Sequence, residues 1–282
     1  MELLAQLVQL LALSSVLAAT SRSGANRCLS VGSFNVKWFT VSKSADESIL
    51  NIVADIIRRY DVMLMMEIRD NVGQTAMNRL WELVNATSPY GLSLSQPLGR
   101  NTSNYREQYG FFYRIGKAYL VDSVQYDDSS NDEFEREPYS VLIKTSAKSS
   151  KPGIAFIGLH TQPKTTVAEM TSLIKVADFV LSHWNTDKVV ILGDLNADCR
   201  YMSKKALAKT PLRTDKRFTW LIPDTADTTI LPQTNCAYDR IIVTESVKHK
   251  DASVFNYQKE YSLSLDQAKA ISDHYPVEVQ IC

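Results

Sequence analysis

The segment VVILGDLNAD (189–198) indicates the fold, because a run of apolar residues passes directly into acidic and amide side chains. An apolar run of this length that stops at Gly and Asp is typical of a strand buried on both faces. Three other segments have the same form, namely LSVGSFNV (29–36), DVMLMME (61–67) and IAFIGLH (154–160). The four strands therefore deliver polar side chains at their carboxyl ends: Asn35, Glu67, His160, and Asp194 with Asn196.

Helical patterns lie between these strands, and the chain after residue 20 shows neither a linker nor a repeat. Ser44-Ala45-Asp46-Glu47 matches a capping box ahead of an apolar helix face from Ile49 to Ile57. Further helices are predicted over 71–84 and 166–184, and further strands over 109–114, 117–126, 139–144, 239–243 and 277–281. This alternation predicts a single α/β domain over residues 21–282.

The composition bounds the class of protein. The chain has 282 residues, is 45% hydrophobic, and carries 31 basic and 31 acidic side chains. Such a chain can bury a full core. The balanced charge argues against a strongly basic nucleic-acid scaffold, but it allows a nucleic-acid enzyme in which bound metal ions supply the positive charge.

The first residues form an apolar run, LLAQLVQLLALSSVLAA (3–19), that ends in small residues. The run has the length of a secretory signal, and it is short for a membrane-spanning helix, which is the alternative. We therefore expect a signal peptide over residues 1–20, secretion, and no stable membrane association. In a secreted chain the four cysteines suggest two disulfides, and the sequons at Asn85 and Asn101 become usable glycosylation sites.

Oxygen ligands and imidazoles at the strand ends predict metal-assisted hydrolysis of a phosphodiester. Carboxylate and amide oxygens suit Mg²⁺, Mn²⁺ or Ca²⁺, and the sequence has no His and Cys cluster at zinc spacing. The segment SDHYPVEVQI (272–281) adds Asp273 and His274 in a loop before the last strand. One histidine could activate water while the other protonates the leaving oxygen. Taken singly, Asn35 could be a cap and His160 a structural histidine, so the prediction rests on their joint occurrence.

The order of the motifs resembles the deoxyribonuclease I family over essentially everything after the signal. The motifs are NVKWF (35–39), MEIRD (66–70), PLGRN (97–101), YREQY (105–109), FEREP (134–138), GLHTQP (158–163), GDLNADC (193–199), WLIPDTADTT (220–229), NCAYDRI (235–241) and SDHYPVEV (272–279). WLIPDTADTT and CAYDRI are specific to that family, whereas GDLNAD and SDHYPV occur in the wider endonuclease/exonuclease/phosphatase superfamily. The resemblance implies a four-layer α/β sandwich of two packed mixed β-sheets flanked by helices.

The resemblance also implies the reaction, which is cleavage of duplex DNA with low sequence specificity that leaves 5′-phosphate ends. It makes His160 and His274 the general acid/base pair, oriented by Glu107 and Asp239 respectively. A second set surrounds the scissile phosphate and its Mg²⁺ or Mn²⁺ ion: Asn35, Glu67, Asp194, Asn196 and Asp273. A third set contacts DNA: Arg69 and Tyr105 in the minor groove, and Arg136 at a phosphate.

Two structural Ca²⁺ sites are implied in the same way. The first comprises Asp198, Asp224, Asp227 and Thr229, and the second comprises Asp128, Asp132, the carbonyl of Phe134, and Glu137. The loop around the second site is shorter than in family members that carry a small disulfide there. The segment GLSLSQ (91–96) lacks the aromatic and acidic residues through which some members bind actin, so we expect weak actin binding or none. We also expect a monomer.

For the cysteines, the resemblance implies a Cys199–Cys236 disulfide, whose loop would contribute roughly 4 kcal/mol in the chain-entropy model. It does not imply a second bond. Cys28 precedes the first strand and Cys282 ends the last. If these strands are antiparallel neighbours, the two cysteines lie within disulfide reach. The alternative is two free thiols.

Two other functions compete with DNA cleavage. A phosphodiesterase or phosphatase of the same fold could act on lipid or inositol phosphates, but the presence of Arg69, Tyr105 and Arg136 favours DNA. A secreted binding protein without catalysis is the second alternative, and the complete set of acid/base and ligand residues argues against it.

Overall fold

The computed structural model describes residues 28–70, 73–100 and 106–282. The predicted signal peptide, Tyr105 and the sequon at Asn101 lie outside these residues. Within the described part of the chain, none of the helices has the length and apolar character needed to cross a membrane.

Two six-stranded mixed sheets form the centre of the molecule. The first sheet has the order β11-β12-β1-β2-β4-β3, and its strands in chain order are β1 (Leu29–Phe39), β2 (Val62–Ile68), β3 (Tyr90–Leu94), β4 (Gln108–Arg114), β11 (His249–Val254) and β12 (Val277–Ile281). The second sheet has the order β5-β6-β7-β8-β10-β9, with β5 (Tyr119–Gln125), β6 (Tyr139–Lys144), β7 (Ile154–Gly158), β8 (Val189–Asp194), β9 (Phe218–Trp220) and β10 (Asp239–Thr244). The pairs β1–β2 and β7–β8 are parallel, and the other pairs are antiparallel.

Helices cover the outer face of each sheet. The helices in chain order are α1 (Val41–Ser44), α2 (Glu47–Arg58), α3 (Thr75–Asn85), α4 (Thr166–His183), α5 (Lys204–Leu207), α6 (Pro211–Thr214), α7 (Tyr257–Glu260) and α8 (Leu265–Ile271). Side chains of α2, α3 and α8 pack on the first sheet, and those of α4 pack on the second. A central core joins the two inner sheet faces, so the predicted four-layer sandwich is confirmed.

Strand β2 shows how the sequence builds these layers. Val62, Leu64 and Met66 point into the core between the sheets, whereas Met63 and Met65 point toward the helices. Both sets are completely buried. This explains why β2 is a continuous apolar run rather than an alternating one.

Three local predictions need correction. The N-cap of α2 is Asp46, which accepts hydrogen bonds from the N–H groups of Ser48 and Ile49, and not Ser44. Ser44 belongs to the preceding short helix α1, so it is not available as a cap. Helix α3 begins at Thr75 rather than 71, because the left-handed backbone of Gly73 and Gln74 precedes it. Strands β3, β9 and β11 were not predicted, since their short or mixed sequences lack a clear alternation.

The first and last described strands are neighbours, as the disulfide hypothesis required. Strands β1 and β12 pair antiparallel, with Leu29 opposite Ile281. Directly beyond this pair, Cys28 and Cys282 form a disulfide with a Cα–Cα distance of 4.1 Å. The bond lies at the amino end of β1, whereas the polar residues predicted for the site follow the carboxyl ends of the strands.

Candidate active site

The first histidine lies two residues after β7 and is held by a carboxylate that comes from the other sheet. Nδ1 of His160 lies 3.0 Å from Oε2 of Glu107, the residue before β4. The backbone N–H of His160 donates to the hydroxyl of Tyr109 at 2.9 Å. Arg136 donates to the carbonyl oxygen of His160 at 3.0 Å. All four residues are buried, so the orientation of the imidazole ring is fixed.

The second histidine, His274, is also held by a carboxylate from the other sheet. Here the histidine precedes a strand of the first sheet and the carboxylate lies on a strand of the second. Nδ1 of His274, in the loop before β12, lies 2.7 Å from Oδ2 of Asp239 on β10. The backbone N–H of His274 donates to the hydroxyl of Ser272 at 3.0 Å, and this hydroxyl donates to the carbonyl oxygen of Asn35 at 2.6 Å. The loop that carries His274 is thereby tied to the end of β1.

A single carboxylate lies between the two imidazoles. Oδ2 of Asp194 is 3.5 Å from Nε2 of His160 and 3.6 Å from Nε2 of His274. The side-chain amide of Asn35 donates to Oδ2 of Asp194 at 3.1 Å and to Oε1 of Glu67 at 2.8 Å. The structure thus brings together seven of the residues that the sequence predicted for the site, namely Asn35, Glu67, Glu107, His160, Asp194, Asp239 and His274.

The remaining predicted ligands lie at the edge of this group. The backbone N–H of Asn196 donates to Oδ1 of Asp194 at 3.1 Å, and its side-chain amide donates to the carbonyl oxygen of Thr161 at 3.0 Å. Asp273 forms an ion pair with Nζ of Lys37 at 3.0 Å. Burial opposes the ionisation of Asp273, but His274 and Lys37 outweigh it and lower the pKa of its carboxyl group.

Several of these residues have left-handed backbone. The φ angles of Lys37, Trp38, Glu67 and Asn196 are 45°, 52°, 57° and 46°. Non-glycine residues adopt this region only when the surrounding structure holds them there, and such residues cluster at functional sites. One contact that holds Glu67 in place is the hydrogen bond that the backbone N–H of Trp38 donates to its Oε2 at 3.0 Å.

The Glu107–His160 pair is strongly polarised. Burial opposes the charge on Glu107, but His160 and Arg136 outweigh it and lower its pKa to about 2. For His160, burial and Arg136 favour the neutral ring, while Glu107 and Asp194 favour the charged ring and raise its pKa above the ordinary value. An ionised Glu107 therefore fixes a proton on Nδ1 and leaves Nε2 for proton exchange in the cleft.

In the Asp239–His274 pair, both groups are buried. Burial raises the pKa of Asp239 to about 6. Burial also opposes the charge on His274, but Asp239 and Asp194 outweigh it and raise its pKa well above the ordinary value. The two groups, which are 2.7 Å apart, therefore titrate together, and the proton between them is shared by Asp239 and His274.

A cleft of about 640 Å³ opens in front of these groups. Its lining includes Glu67, His160, Asp194, Asn196, Asp273 and His274. A second set of lining residues comes from the far wall, including Arg200, Tyr201, Gln233, Thr234 and Tyr238. Both histidines and four of the five candidate metal ligands, all except Asn35, therefore line one shared space that a phosphodiester can enter.

The donor chemistry of the cleft fits a hard divalent cation. Asp194, Asp239 and His274 each offer a ligand atom, and these atoms lie within 4.8 Å of one another. Oδ1 of Asp239 is buried without a hydrogen-bond partner, and Glu67 adds a further carboxylate through the Asn35 bridge. Carboxylate oxygens with few imidazoles and no thiolates suit Mg²⁺ or Mn²⁺ better than Zn²⁺.

The predicted DNA-contacting residues lie in different environments. Arg69 follows β2, is half-buried, and holds its guanidinium 5.3 Å from the ring centre of the exposed Trp38. Arg136 is only 7% exposed and donates to the carbonyl oxygens of His160 and Thr161. It therefore supports the His160 loop, and a direct phosphate contact stays a prediction.

Residues predicted for the first Ca²⁺ site are only partly brought together. Asp198 and Asp224 line one cavity of about 440 Å³ beside the cleft. Asp224 is also paired with Arg240 at 2.8 Å and with Arg213. Asp227 and Thr229 contact each other, since Oδ1 of Asp227 accepts hydrogen bonds from the backbone N–H and the hydroxyl of Thr229 at 3.0 and 2.7 Å, but neither residue lines that cavity.

The residues of the second predicted Ca²⁺ site share one loop. Oδ2 of Asp128 accepts a hydrogen bond from the backbone N–H of Phe134 at 2.8 Å, and Asp132 pairs with Arg100 at 3.1 Å. Glu137 is half-buried, and burial together with the neighbouring carboxylates raises its pKa. Crowded carboxylates of this kind favour a cation.

Cys199 and Cys236 form a disulfide with a Cα–Cα distance of 5.9 Å, and both line the cleft. The structure thus contains both disulfides considered from the sequence. Asn85, the described sequon asparagine, ends α3 and is half-buried. Its amide donates to the carbonyl oxygen of Trp81 and accepts from the N–H of Tyr90, each at 2.9 Å.

One supporting residue escaped the sequence analysis. The ammonium group of Lys43 donates to the carbonyl oxygens of Val36 and Lys37, each at 2.7 Å, and of Ile271 at 2.6 Å. Burial lowers its pKa to about 8. Lys43 thereby joins the end of β1 to the loop that carries His274. A lone lysine in a polar segment gives no sequence signal of such a role.

Two packed mixed sheets with two histidine–carboxylate pairs at their facing ends define the class of protein. The family described as Endonuclease/Exonuclease/phosphatase family matches residues 32–274, and the chain belongs to it. A mannosyl-6-phosphatase of Bacteroides thetaiotaomicron shares the fold with a TM-score of 0.60 and 17% identity, covering 90% of this chain and 99% of the other.

Within that family the chain belongs to the deoxyribonuclease I group. It is 42% identical to Deoxyribonuclease-1-like 2 of Mus musculus over 258 residues, which cover 89% of this chain and 91% of the relative. It is 40% identical to Deoxyribonuclease-1 of Bos taurus over 265 residues, which cover 90% and 92% respectively. The family resemblance stated from the motifs is therefore confirmed.

Proposed function

We propose that this protein is a secreted, divalent-metal-dependent endonuclease that hydrolyses duplex DNA and leaves 5′-phosphate ends. The observation that carries the proposal is the pair of imidazoles, His160 and His274, whose Nε2 atoms lie 3.5 and 3.6 Å from the same Asp194 carboxylate. Two deoxyribonucleases at 40% identity or more over about nine-tenths of the chain support DNA as the substrate.

The two histidines divide the proton transfers in this proposal. A phosphodiester in the cleft contacts both Nε2 atoms, so one imidazole removes the proton of the attacking water while the other donates a proton to the leaving 3′ oxygen. Glu107 and Asp239 hold the opposite ring nitrogens, which fixes each ring and stabilises it when it is charged. The transferred protons then return through the solvent of the cleft.

Glu67 and Asp194 would hold Mg²⁺ or Mn²⁺, with Asn35 fixing their relative position. When bound, the ion supplies Lewis-acid stabilisation of the charge that develops on the phosphoryl oxygens. Asn196 and Asp273 lie at the same edge, where they keep Asp194 and Lys37 in place. We assign structural Ca²⁺ to the Asp198 and Asp128 neighbourhoods.

The site tolerates many sequences because its chemistry is directed at the backbone. Phosphate and sugar are common to all nucleotides, so contacts to them carry no sequence information directly. Arg69, beside Glu67, and Tyr105 are the residues we assign to the minor groove. Two disulfides and the apolar amino-terminal run that predicts a signal peptide support secretion. We infer weak or absent actin binding from the composition of segment 91–96.

Plasmid nicking tests the proposal. The protein collected from culture medium should convert supercoiled plasmid to open circles in Mg²⁺ and Ca²⁺, and excess chelator should abolish the reaction. End labelling should find 5′-phosphates. A His274→Ala variant prepared in parallel controls for contaminating nucleases. Undiminished nicking in chelator, or release of phosphate from inositol phosphates without any nicking, would reject the proposal.

A further inference from the structure

The far wall of the cleft carries a cation that the proposed catalytic mechanism does not use. Arg200 lines the cleft, is exposed, and follows Cys199 directly. Among the described residues that line this cleft, it is the only lysine or arginine. Three carboxylates line the same space, namely Glu67, Asp194 and Asp273. Asp273 is paired with Lys37, and the other two carboxylates are the residues proposed to hold the metal ion, so Arg200 is the residue of this lining whose charge suits a phosphate.

Arg200 contacts an aromatic side chain of the same wall. Its guanidinium lies 4.8 Å from the ring centre of Tyr201 and donates to the hydroxyl of that tyrosine at 2.6 Å. The Tyr201 ring lies 5.2 Å from Tyr238, which lies 6.3 Å from His274. The disulfide between Cys199 and Cys236 anchors both halves of this wall. An aromatic row thus leads from His274 to the positive charge of Arg200.

More positive charge continues along the chain from Arg200. The segment RYMSKKALAK (200–209) contains four basic residues and no acidic one, in a protein with equal numbers of both. Lys204 and Lys205 are exposed, and Lys204 lines the adjoining cavity together with Cys199 and Asn235, two residues that also line the cleft. We call Arg200, Lys204 and Lys205 the basic rim.

We propose that the basic rim binds phosphates of the DNA strand beyond the scissile bond, with Arg200 making the contact nearest to the histidines. The proposal rests on the proposed function and specifies how its substrate is held. A guanidinium stacked on an aromatic ring keeps its outer edge free for phosphate oxygens. Tyr201 and Tyr238 offer ring faces against which sugars or bases can pack.

Salt dependence provides the quantitative test. Removing one phosphate contact lowers the slope of log affinity against log salt by about 0.9, so between about 50 and about 200 mM salt it changes affinity by about 3.5-fold. The binding of a fluorescent duplex oligonucleotide should be measured in chelator, where cleavage cannot interfere. Arg200→Gln should weaken binding several-fold at low salt, and this difference should shrink by about 3.5-fold across that range.

A matched control variant distinguishes the effect of a charge at the basic rim from the effect of the total charge of the protein. Lys250→Gln removes one positive charge from β11, an edge strand that does not contribute to the cleft, and it should bind with the slope of the parent protein. Lys204→Gln/Lys205→Gln should lower the slope further than Arg200→Gln, and Lys248→Gln/Lys250→Gln is its control. Plasmid nicking by Arg200→Gln should decrease several-fold more than its hydrolysis of a small phosphodiester such as bis(4-nitrophenyl) phosphate.

Each outcome decides the matter. If the Arg200 and Lys250 variants have the same slope, the basic rim does not bind phosphate. If Arg200→Gln lowers plasmid and small-substrate rates equally, Arg200 acts on the chemistry or the fold, and the proposal is wrong. Duplex binding by the parent protein with normal salt dependence but no nicking would reject the proposed function alone.

Discussion

The Cys28–Cys282 disulfide should be worth more to stability than any other single bond in the protein. It joins residues that are 254 positions apart, whereas Cys199–Cys236 joins residues 37 apart. In the chain-entropy model these loops correspond to about 5.5 and about 3.8 kcal/mol of free energy of unfolding. Residual structure in the unfolded chain lowers both values, so the difference of about 1.7 kcal/mol is the firmer expectation.

The measurement is denaturant unfolding of two double variants, Cys28→Ser/Cys282→Ser and Cys199→Ser/Cys236→Ser, under non-reducing conditions. The first should lose about 3–5 kcal/mol, and more than the second. Its activity below the unfolding transition should be retained, because the bond lies at the amino end of β1, away from the cleft. The second should lose activity as well, since both of its cysteines line the cleft.

A first variant with the stability of the parent, or one less destabilised than the second, would refute the entropic reasoning. Peptide mapping without reduction is the check on the bond itself. Recovery of Cys28 and Cys282 as free thiols in the secreted protein would show that this disulfide does not form.

Three further predictions concern the site. His160→Ala and His274→Ala should each lower the cleavage rate by about 10²-fold or more in stopped plasmid assays. Calorimetry should find a melting temperature close to that of the parent. A variant nearly as active as the parent would contradict the role of that histidine. Calcium should raise the melting temperature by mass action, and Asp198→Ala should remove most of the rise, so an equal calcium response in parent and variant would exclude the Asp198 site. Lys43→Met should lower the free energy of unfolding by about 1–3 kcal/mol, because three carbonyl oxygens, including that of Ile271, lose a half-buried charged donor. The variant should also have a lower kcat, and an unchanged kcat would show that Lys43 does not position the His274 loop.

Much of the fold could be predicted from the sequence because its strongest signals are local. Buried strands such as 189–194 are continuous apolar runs, and a polar residue at the end of each marks the edge where a site can form. Strand β9 has three residues and β11 has exposed polar ones, so neither carries a pattern that separates it from a loop. The capping box failed for a related reason: whether Ser44 caps a helix depends on where the preceding helix ends.

The candidate site was less predictable where it depends on contacts between distant segments. The motifs put Arg136 among the DNA contacts, but its burial follows from its contacts with three residues that are distant in sequence, namely Glu107, Tyr109 and His160. Lys43 has three carbonyl partners from two segments that are far apart in sequence. Such roles arise from tertiary geometry, which a single sequence does not encode as a spacing.

The geometry of the site is set by the contact between the two sheets. Glu107 precedes a strand of the first sheet and holds His160 after a strand of the second, whereas Asp239 belongs to the second sheet and holds His274 before a strand of the first. The hydrogen bond from Asn35 to Asp194 also crosses between the sheets.

A small shift of one sheet against the other would therefore lengthen all three contacts at once. Hydrogen bonds weaken steeply with misalignment, and catalysis depends on the position of the reacting groups to within about 1 Å. The central core therefore supports catalysis without touching the substrate. It joins Leu64 and Phe111 of the first sheet to Phe156 and Leu192 of the second. Close packing there restricts sliding, because interdigitated side chains leave few voids to absorb a displacement.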